Sequence, residues 1–334
     1  MSSVSTTDPK ANAIATMDPV ALMRIKNLQM RAKTVVEGYY SGLHRSPFHG
    51  NSVEFREYRS YSHGDDLRNL DWKLFARSDR YYIKKFDDET NRQCTLLFDQ
   101  SRSMEFGSLQ YTKADYAQTL LATFAYYLTS QRDSVGLLTF DESIRDYHPP
   151  TRTSGQLRRI MASLARSPRG KDTDMVRPLE EVSSLAKRRG LIVLASDFLT
   201  PIESLASGFS FLRARGHQVF VIRVLDPSEM NFGIQSPSMV VDMESGEEVF
   251  IDPVNAKAAY QESFESHRTN LQTMCSDLGI DLFEVTTEQP IDSALHELIS
   301  QQTRDRKKHK HRTTRRKLSE SNDLDGVANI GGNG

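Results

Sequence analysis

Cysteine is scarce in this 334-residue chain, with Cys94 and Cys275 far apart and no CxxC spacing. That excludes a disulfide framework or a thiolate zinc site and leaves two small buried hydrophobes. Long apolar runs are missing too. The richest, Gly190 to Ala195, is far shorter than the roughly 18 residues a membrane span needs. Met1 to Met17 is Ser, Thr and Ala rich without a basic-then-apolar pattern, so secretory export is not indicated and a cytoplasmic location is expected. There is no GxxxxGK[ST] phosphate loop and no GxSxG nucleophile elbow, which removes Walker-type ATP hydrolysis and the α/β-hydrolase chemistry. HExxH and paired-histidine spacings are likewise absent, so His63 and His148 read as surface or capping residues.

What is present is polar overall, with 38% hydrophobic and 26% charged residues and a mean hydropathy of -0.53. Part of the length should therefore be unpacked tail. The net charge of -1 conceals a segregation: nine Lys and Arg against one Asp fall between Arg304 and Lys317. Four segments are expected: an unpacked 1–17, an N-terminal helix and extension over 18–93, an α/β domain over 94–302, and an unpacked basic then polar tail over 303–334.

Asp18-Pro19 starts a helix, and Val20, Leu22, Met23, Ile25, Leu28, Met30 and Val35 continue it at helical spacing to about Glu37. Gly38 to Arg92 loses periodicity and predicts loops with short strands at Val53 to Tyr58 and Tyr81 to Phe86. From Cys94 onward short apolar runs alternate with amphipathic stretches, the pattern of a parallel sheet covered on both faces. The strands are Cys94 to Phe98, Ser134 to Phe140, Leu191 to Ser196, Gln218 to Leu225 and Asp281 to Thr286. Ser143 to His148 follows too closely for a crossover and should pair antiparallel at the edge. Helices are predicted over Thr112 to Leu128 (Thr112 and Asp115 resembling a capping box), Ser154 to Arg166, Met175 to Lys187, Pro201 to Arg215, Pro253 to Leu278 and Ile291 to Gln302. An inserted hairpin is expected near 238–252, turning at Ser245-Gly246. The fold class is thus α/β, a doubly wound, mainly parallel sheet of order 3-2-1-4-5-6.

The first of these strands ends in Asp99-Gln100-Ser101-Arg102-Ser103, a D-x-S-x-S run at a carboxyl end. Ligands of open parallel sheets bind there. One carboxylate with two hydroxyls is a hard oxygen set suited to Mg2+ or Mn2+. Asp197 ends Leu191 to Ser196 in the same way, and Thr173 before a helix offers another hydroxyl. The competing reading is a helix-capping loop, with Thr173 a plain N-cap.

D-x-S-x-S, a later Thr and a later strand-end Asp resemble the metal-ion-dependent adhesion site of von Willebrand factor A domains. The resemblance implies that Asp99, Ser101, Ser103, Thr173 and Asp197 hold one divalent cation and leave a position open for a partner's carboxylate. Upstream, Glu54-Phe-Arg-Glu-Tyr-Arg59, Gly64-Asp-Asp-Leu-Arg-Asn-Leu-Asp-Trp72 and Ala76-Arg77 are similar to the bacterial family known as domain of unknown function 58, from about Gly38 to Thr286. That likeness implies a partner, a MoxR-type AAA+ ATPase, and a role in assembling or activating client proteins.

Asp65, Asp66, Arg68, Asp71, Trp72 and Arg77 form either a partner-docking surface or an intramolecular clamp of Arg-Asp pairs with Trp72 packed inward. The basic tail lacks the interleaved aromatics that stack bases, so a solvated tail or tether is favoured over nucleic-acid binding. The sequence therefore predicts a non-enzymatic, metal-dependent protein-binding module. The alternatives are a Mg2+-dependent hydrolase, disfavoured because the first loop lacks the second Asp of a dehalogenase-like nucleophile motif, and a nucleic-acid binder acting through the basic tail.

Overall fold

The computed structural model describes residues 17–45, 57–60, 75, 81–85, 93–167, 175–242 and 246–301. Two helices open it, α1 (Pro19–Met23) and α2 (Leu28–Arg45), where the sequence predicts one. The break is local chemistry. Asn27 Oδ1 accepts from Met30 N at 3.0 Å and Arg31 Nε donates to Ile25 O at 2.8 Å, so side chains take over backbone partners that a continuous helix would use. Strands β1 (Glu57–Ser60) and β2 (Tyr82–Lys85) pair antiparallel.

The central sheet contains β3 (Gln93–Asp99), β4 (Ser134–Phe140), β5 (Ile144–Thr151), β6 (Leu191–Ser196), β7 (Gln218–Leu225) and β10 (Asp281–Thr286). Its order is β5-β4-β3-β6-β7-β10, all parallel except β5 against β4. Counting only these six, that is the expected 3-2-1-4-5-6. Between them run α3 (Lys113–Ser130), α4 (Gln156–Leu164), α5 (Val176–Leu185), α6 (Ile202–Ala214), α7 (Pro227–Asn231), α8 (Pro253–Asp277) and α9 over 291–301. The hairpin β8 (Ser238–Val241) and β9 (Glu248–Ile251) stands outside the sheet.

Both sheet faces are covered, which is why β3, β4 and β6 read as unbroken apolar runs. On one side Leu96 and Phe98 pack with Leu120, Phe124 and Ile160, and with Ile291 and Leu295 of α9. On the other, Leu97 joins Leu179, Leu205, Phe209 and Leu271. The alternation along β3 follows from the twofold side-chain period of a strand. Cys94 and Cys275 are buried and unbonded, as their isolation in the sequence predicts. The capping box at Thr112 is complete: Asp115 N donates to Thr112 Oγ1 and Thr112 N to Asp115 Oδ2, both at 3.1 Å. Asp serves in the Glu/Gln place because its shorter side chain still reaches the cap N–H.

Candidate metal centre

Strand order reverses between β3 and β6, since β3 leads to β4 on one side while β6 and β7 grow on the other. The crevice outside those carboxyl ends is where an open α/β sheet binds ligands. Asp99 closes β3, and Asp197 follows directly on β6, whose Ala195 is in register with Phe98. Both carboxylates are buried.

The loop after β3 is built by Asp99 itself. Its Oδ1 accepts from Ser101 N at 2.8 Å, a local turn that brings Ser101 and Ser103 to the same edge. Their hydroxyl oxygens lie 3.1 Å apart. Adjacent oxygen ligands of an octahedral Mg2+, each at about 2.1 Å, are about 3.0 Å apart, so this spacing suits two neighbouring coordination positions. Asp99 Oδ2 accepts from Ser196 Oγ at 2.6 Å, and Phe198 N donates to that same Oγ at 3.0 Å. Phe198 has φ 56°, so the chain turns sharply after β6 through a left-handed residue. His267 holds that turn at Phe198 O, 2.8 Å away.

Charge at the edge is uneven. Lys113, at the start of α3 and fully buried, donates to Asp197 Oδ2 at 2.8 Å and to Glu229 Oε1 at 2.6 Å. Burial works against its charge, but Asp197 and Glu229 outweigh that and hold its pKa above the ordinary lysine value. Glu229 Oε2 accepts from Asp226 N at 2.8 Å, which completes a second capping box at α7. Arg223, also buried, donates through Nε to Asp197 O at 3.3 Å and pairs with Glu284 at 3.1 Å. Asp99 receives only neutral donors, and among the described residues no basic side chain pairs with it. Burial first, then the Asp197 charge, push it up to about 7 against the hydrogen bonds from Ser196 and Ser101.

These residues fit a divalent cation. Lys113 is shared between Asp197 and Glu229, while Asp99, which no basic side chain pairs with among the described residues, is on the same short loop as two neighbouring hydroxyls. Among the described residues no group of three or more His, Cys, Asp or Glu forms a metal cluster, so the candidate depends on the serine hydroxyls.

Of the five ligands expected from sequence, Asp99, Ser101, Ser103 and Asp197 meet at one edge, while Thr173 lies outside the described residues. So do Asp65, Asp66, Arg68, Asp71, Trp72 and Arg77 of the expected docking surface, and His63. His148 is half-buried and bonds Ser163 Oγ at 2.8 Å. Sequence reasoning missed Lys113, Ser196, Arg223 and Glu229. Lys113 had a signal: a lysine at the first position of a helix opposes the helix dipole, which favours anions there.

The arrangement defines a doubly wound α/β protein with a carboxylate and hydroxyl site at its topological switch point. The chain belongs to the family described as protein of unknown function DUF58, whose model matches residues 57–270. Uncharacterized protein Mb1516 of Mycobacterium bovis is 26% identical over 278 residues, covering 81% of this chain and 86% of that protein. Uncharacterized protein Rv1480 of Mycobacterium tuberculosis matches to the same extent. Among solved structures, conserved hypothetical protein BatB from Bacteroides thetaiotaomicron superposes with a TM-score of 0.40 at 16% identity, over 64% of this chain and 99% of that one. The SpRpn10 VWA domain gives 0.38 at 14% identity, over 62% and 94%. Among the described residues, no helix is long and apolar enough to cross a membrane.

Proposed function

We propose that this chain is a divalent-cation-dependent protein-binding module with no turnover of its own, working with a MoxR-type AAA+ ATPase on client proteins. The observation that carries the reading is the meeting of Asp99, Ser101, Ser103 and Asp197 at the switch point, with hydroxyls 3.1 Å apart and Asp99 paired with no cationic side chain among the described residues. A bound Mg2+ or Mn2+ would supply a positive centre able to accept a carboxylate from a partner. The residues of this chain do the rest. Ser101 and Ser103 offer neutral oxygens, Asp99 offers compensating charge, and Lys113 fixes Asp197 through one oxygen, Oδ2, so that its other oxygen is not engaged by the ammonium.

The side chains support a reading without turnover. Ser101 bonds Ser103, Ser196 donates to a carboxylate whose role is acceptor and ligand, and Lys113 is held charged by two carboxylates. Among these hydroxyls, Ser196 has a carboxylate beside it, Asp99, which the cation-dependent reading engages as a ligand. The upstream motif likeness supports the ATPase partner.

Pull-down with a MoxR-type ATPase tests this directly. Binding should fall on chelation with EDTA and in Asp99→Ala, and survive truncation after Gln302. Complex formation indifferent to EDTA refutes cation dependence. Mg2+-dependent phosphatase activity of the purified chain, abolished by Asp99→Ala, would install the hydrolase reading instead.

A further inference from the structure

The candidate metal centre sits at the carboxyl edge of the sheet, and a separate open cavity of about 190 Å3 lies at the opposite, amino edge. Its walls come from the starts of β3 and β6, from β5, and from the loops that precede β6 and β7. β3 has seven residues, and at about 3.3 Å of rise per residue roughly 20 Å separate the cavity from Asp99. The two sites are distinct.

Local sequence fixes the backbone here. A Cβ at Gly190 would collide with Gln93 O, so only glycine lets the chain enter β6 this close to β3, and Gly190 O in turn accepts from Gln218 N at 3.0 Å. The loop so anchored carries Lys187 and Arg188, which line the cavity. Arg189 turns elsewhere, its Nε lying 3.0 Å from where a Cβ on Gly216 would stand.

His217 is on the same wall. It is 2% exposed, yet neither Nδ1 nor Nε2 has a hydrogen-bond partner among the described residues. The Ala186 and Gly190 carbonyls near the ring favour its charged form, but burial outweighs them and lowers its pKa, with the Arg215 charge adding to that. Buried polar atoms without partners are rare and destabilising, so a ring with two of them on a cavity wall marks a place for a ligand.

Charge selects the class of that ligand. No Asp or Glu lines the cavity, and the two full positive charges of Lys187 and Arg188 exceed the roughly half negative charge at the carboxyl end of α5. A single carboxylate would leave one of these cations unanswered. A phosphate group carries about 1.5 to 2 negative charges at pH 7 with three strong acceptor oxygens, enough for an Arg188 fork, the Lys187 ammonium and an imidazole N–H. The volume is below the range of about 300 to 1,000 Å3 usual for larger ligands, too small to enclose a nucleotide. Pro149, Pro150 and Leu185 make part of the wall apolar, which suits a small carbon skeleton behind the phosphate.

We propose that this cavity binds a phosphate group held by Lys187, Arg188 and His217, as the free ion or as the monoester of a small organic molecule. The site is independent of the cation-dependent reading above.

Calorimetric titration of the full chain with inorganic phosphate and with phenyl phosphate tests this, in EDTA so that no cation at the carboxyl edge takes up the anion. Saturable one-to-one binding is expected, weakened about tenfold in Lys187→Ala and in Arg188→Ala, each of which removes one charged donor. His217→Leu should weaken binding as well; where it fails to fold, the two exposed positions decide. Tighter binding of phenyl phosphate than of the free ion assigns the monoester, and equal affinity assigns the ion itself. No saturable binding of either probe at millimolar concentration overturns the proposal. Affinity unchanged in both Lys187→Ala and Arg188→Ala overturns it too, by placing the anion elsewhere, such as on the basic run Arg304 to Lys317. Benzoate binding as tightly as phenyl phosphate would replace phosphate by a carboxylate and overturn the assigned chemistry.

Discussion

Replacing Asp99 by Asn should make the cation-free protein more stable at neutral pH, the opposite of the usual result for a buried polar substitution. Asp99 is 1% exposed, has no cationic partner among the described residues, and is pushed by burial and by Asp197 to about 7 from an ordinary value of 3.8. A carboxyl whose pKa is raised on folding binds more protons in the folded than in the unfolded state between those two values. Stability contributed by the protonated form is therefore fully present below the unfolded value and is lost as pH rises toward 7. The full shift corresponds to about 4 kcal/mol at about 1.4 kcal/mol per pH unit, of which roughly 2 to 3 kcal/mol falls between about pH 5 and pH 8. Asn is nearly isosteric and carries no charge, so it removes this penalty while keeping an oxygen for Ser101 N. The assay is urea unfolding in EDTA from pH 5 to pH 8, read as the difference between wild type and Asp99→Asn. Taking the difference cancels other titrations, including those of His217 and His267, whose pKa values are lowered chiefly by burial. The difference should grow toward high pH in favour of Asp99→Asn, and Mg2+ should reverse it by stabilising wild type alone. A flat difference across the range refutes the account of Asp99 as an uncompensated buried carboxyl.

Calorimetric titration with Mg2+ or Mn2+ should show binding by wild type, weakened more by Asp99→Ala, which removes a charge, than by Ser101→Ala, which removes a neutral oxygen; equal affinity in wild type and Asp99→Ala refutes the site. Lys113→Met should destabilise the fold by about 3 to 5 kcal/mol, because it strands Asp197 and Glu229 without their buried partner, and denaturant midpoints measure this. Thr112→Ala breaks the α3 capping box and should cost about 1 kcal/mol by the same assay. Gly136→Ala should cost more than that, since a Cβ there would lie 2.6 Å from His148 O and 2.7 Å from Pro150 N, forcing β4 and β5 apart; an unchanged midpoint would show that the edge strand yields freely.

Sequence alone determined the sheet. Strands buried on both faces must be apolar throughout, so β3, β4, β6 and β7 announced themselves as short continuous runs, and the two-residue gap after Phe140 forced an antiparallel neighbour. It also singled out Asp99, Ser101, Ser103 and Asp197, because a strand-end position in a doubly wound sheet is legible from local pattern. The split of the N-terminal helix was harder to see: apolar spacing continues through Ile25 and Leu28, and only the competition of the Asn27 and Arg31 side chains for backbone partners breaks it. Tertiary structure decided the electrostatics. Lys113 meets Asp197 and Glu229 across 84 and 116 residues of sequence, and no local periodicity encodes an encounter of that range. The pKa of Asp99 depends on the same convergence, since the sequence shows a carboxylate, but only folding removes its water, places Asp197 beside it and pairs the Lys113 ammonium with Asp197 and Glu229.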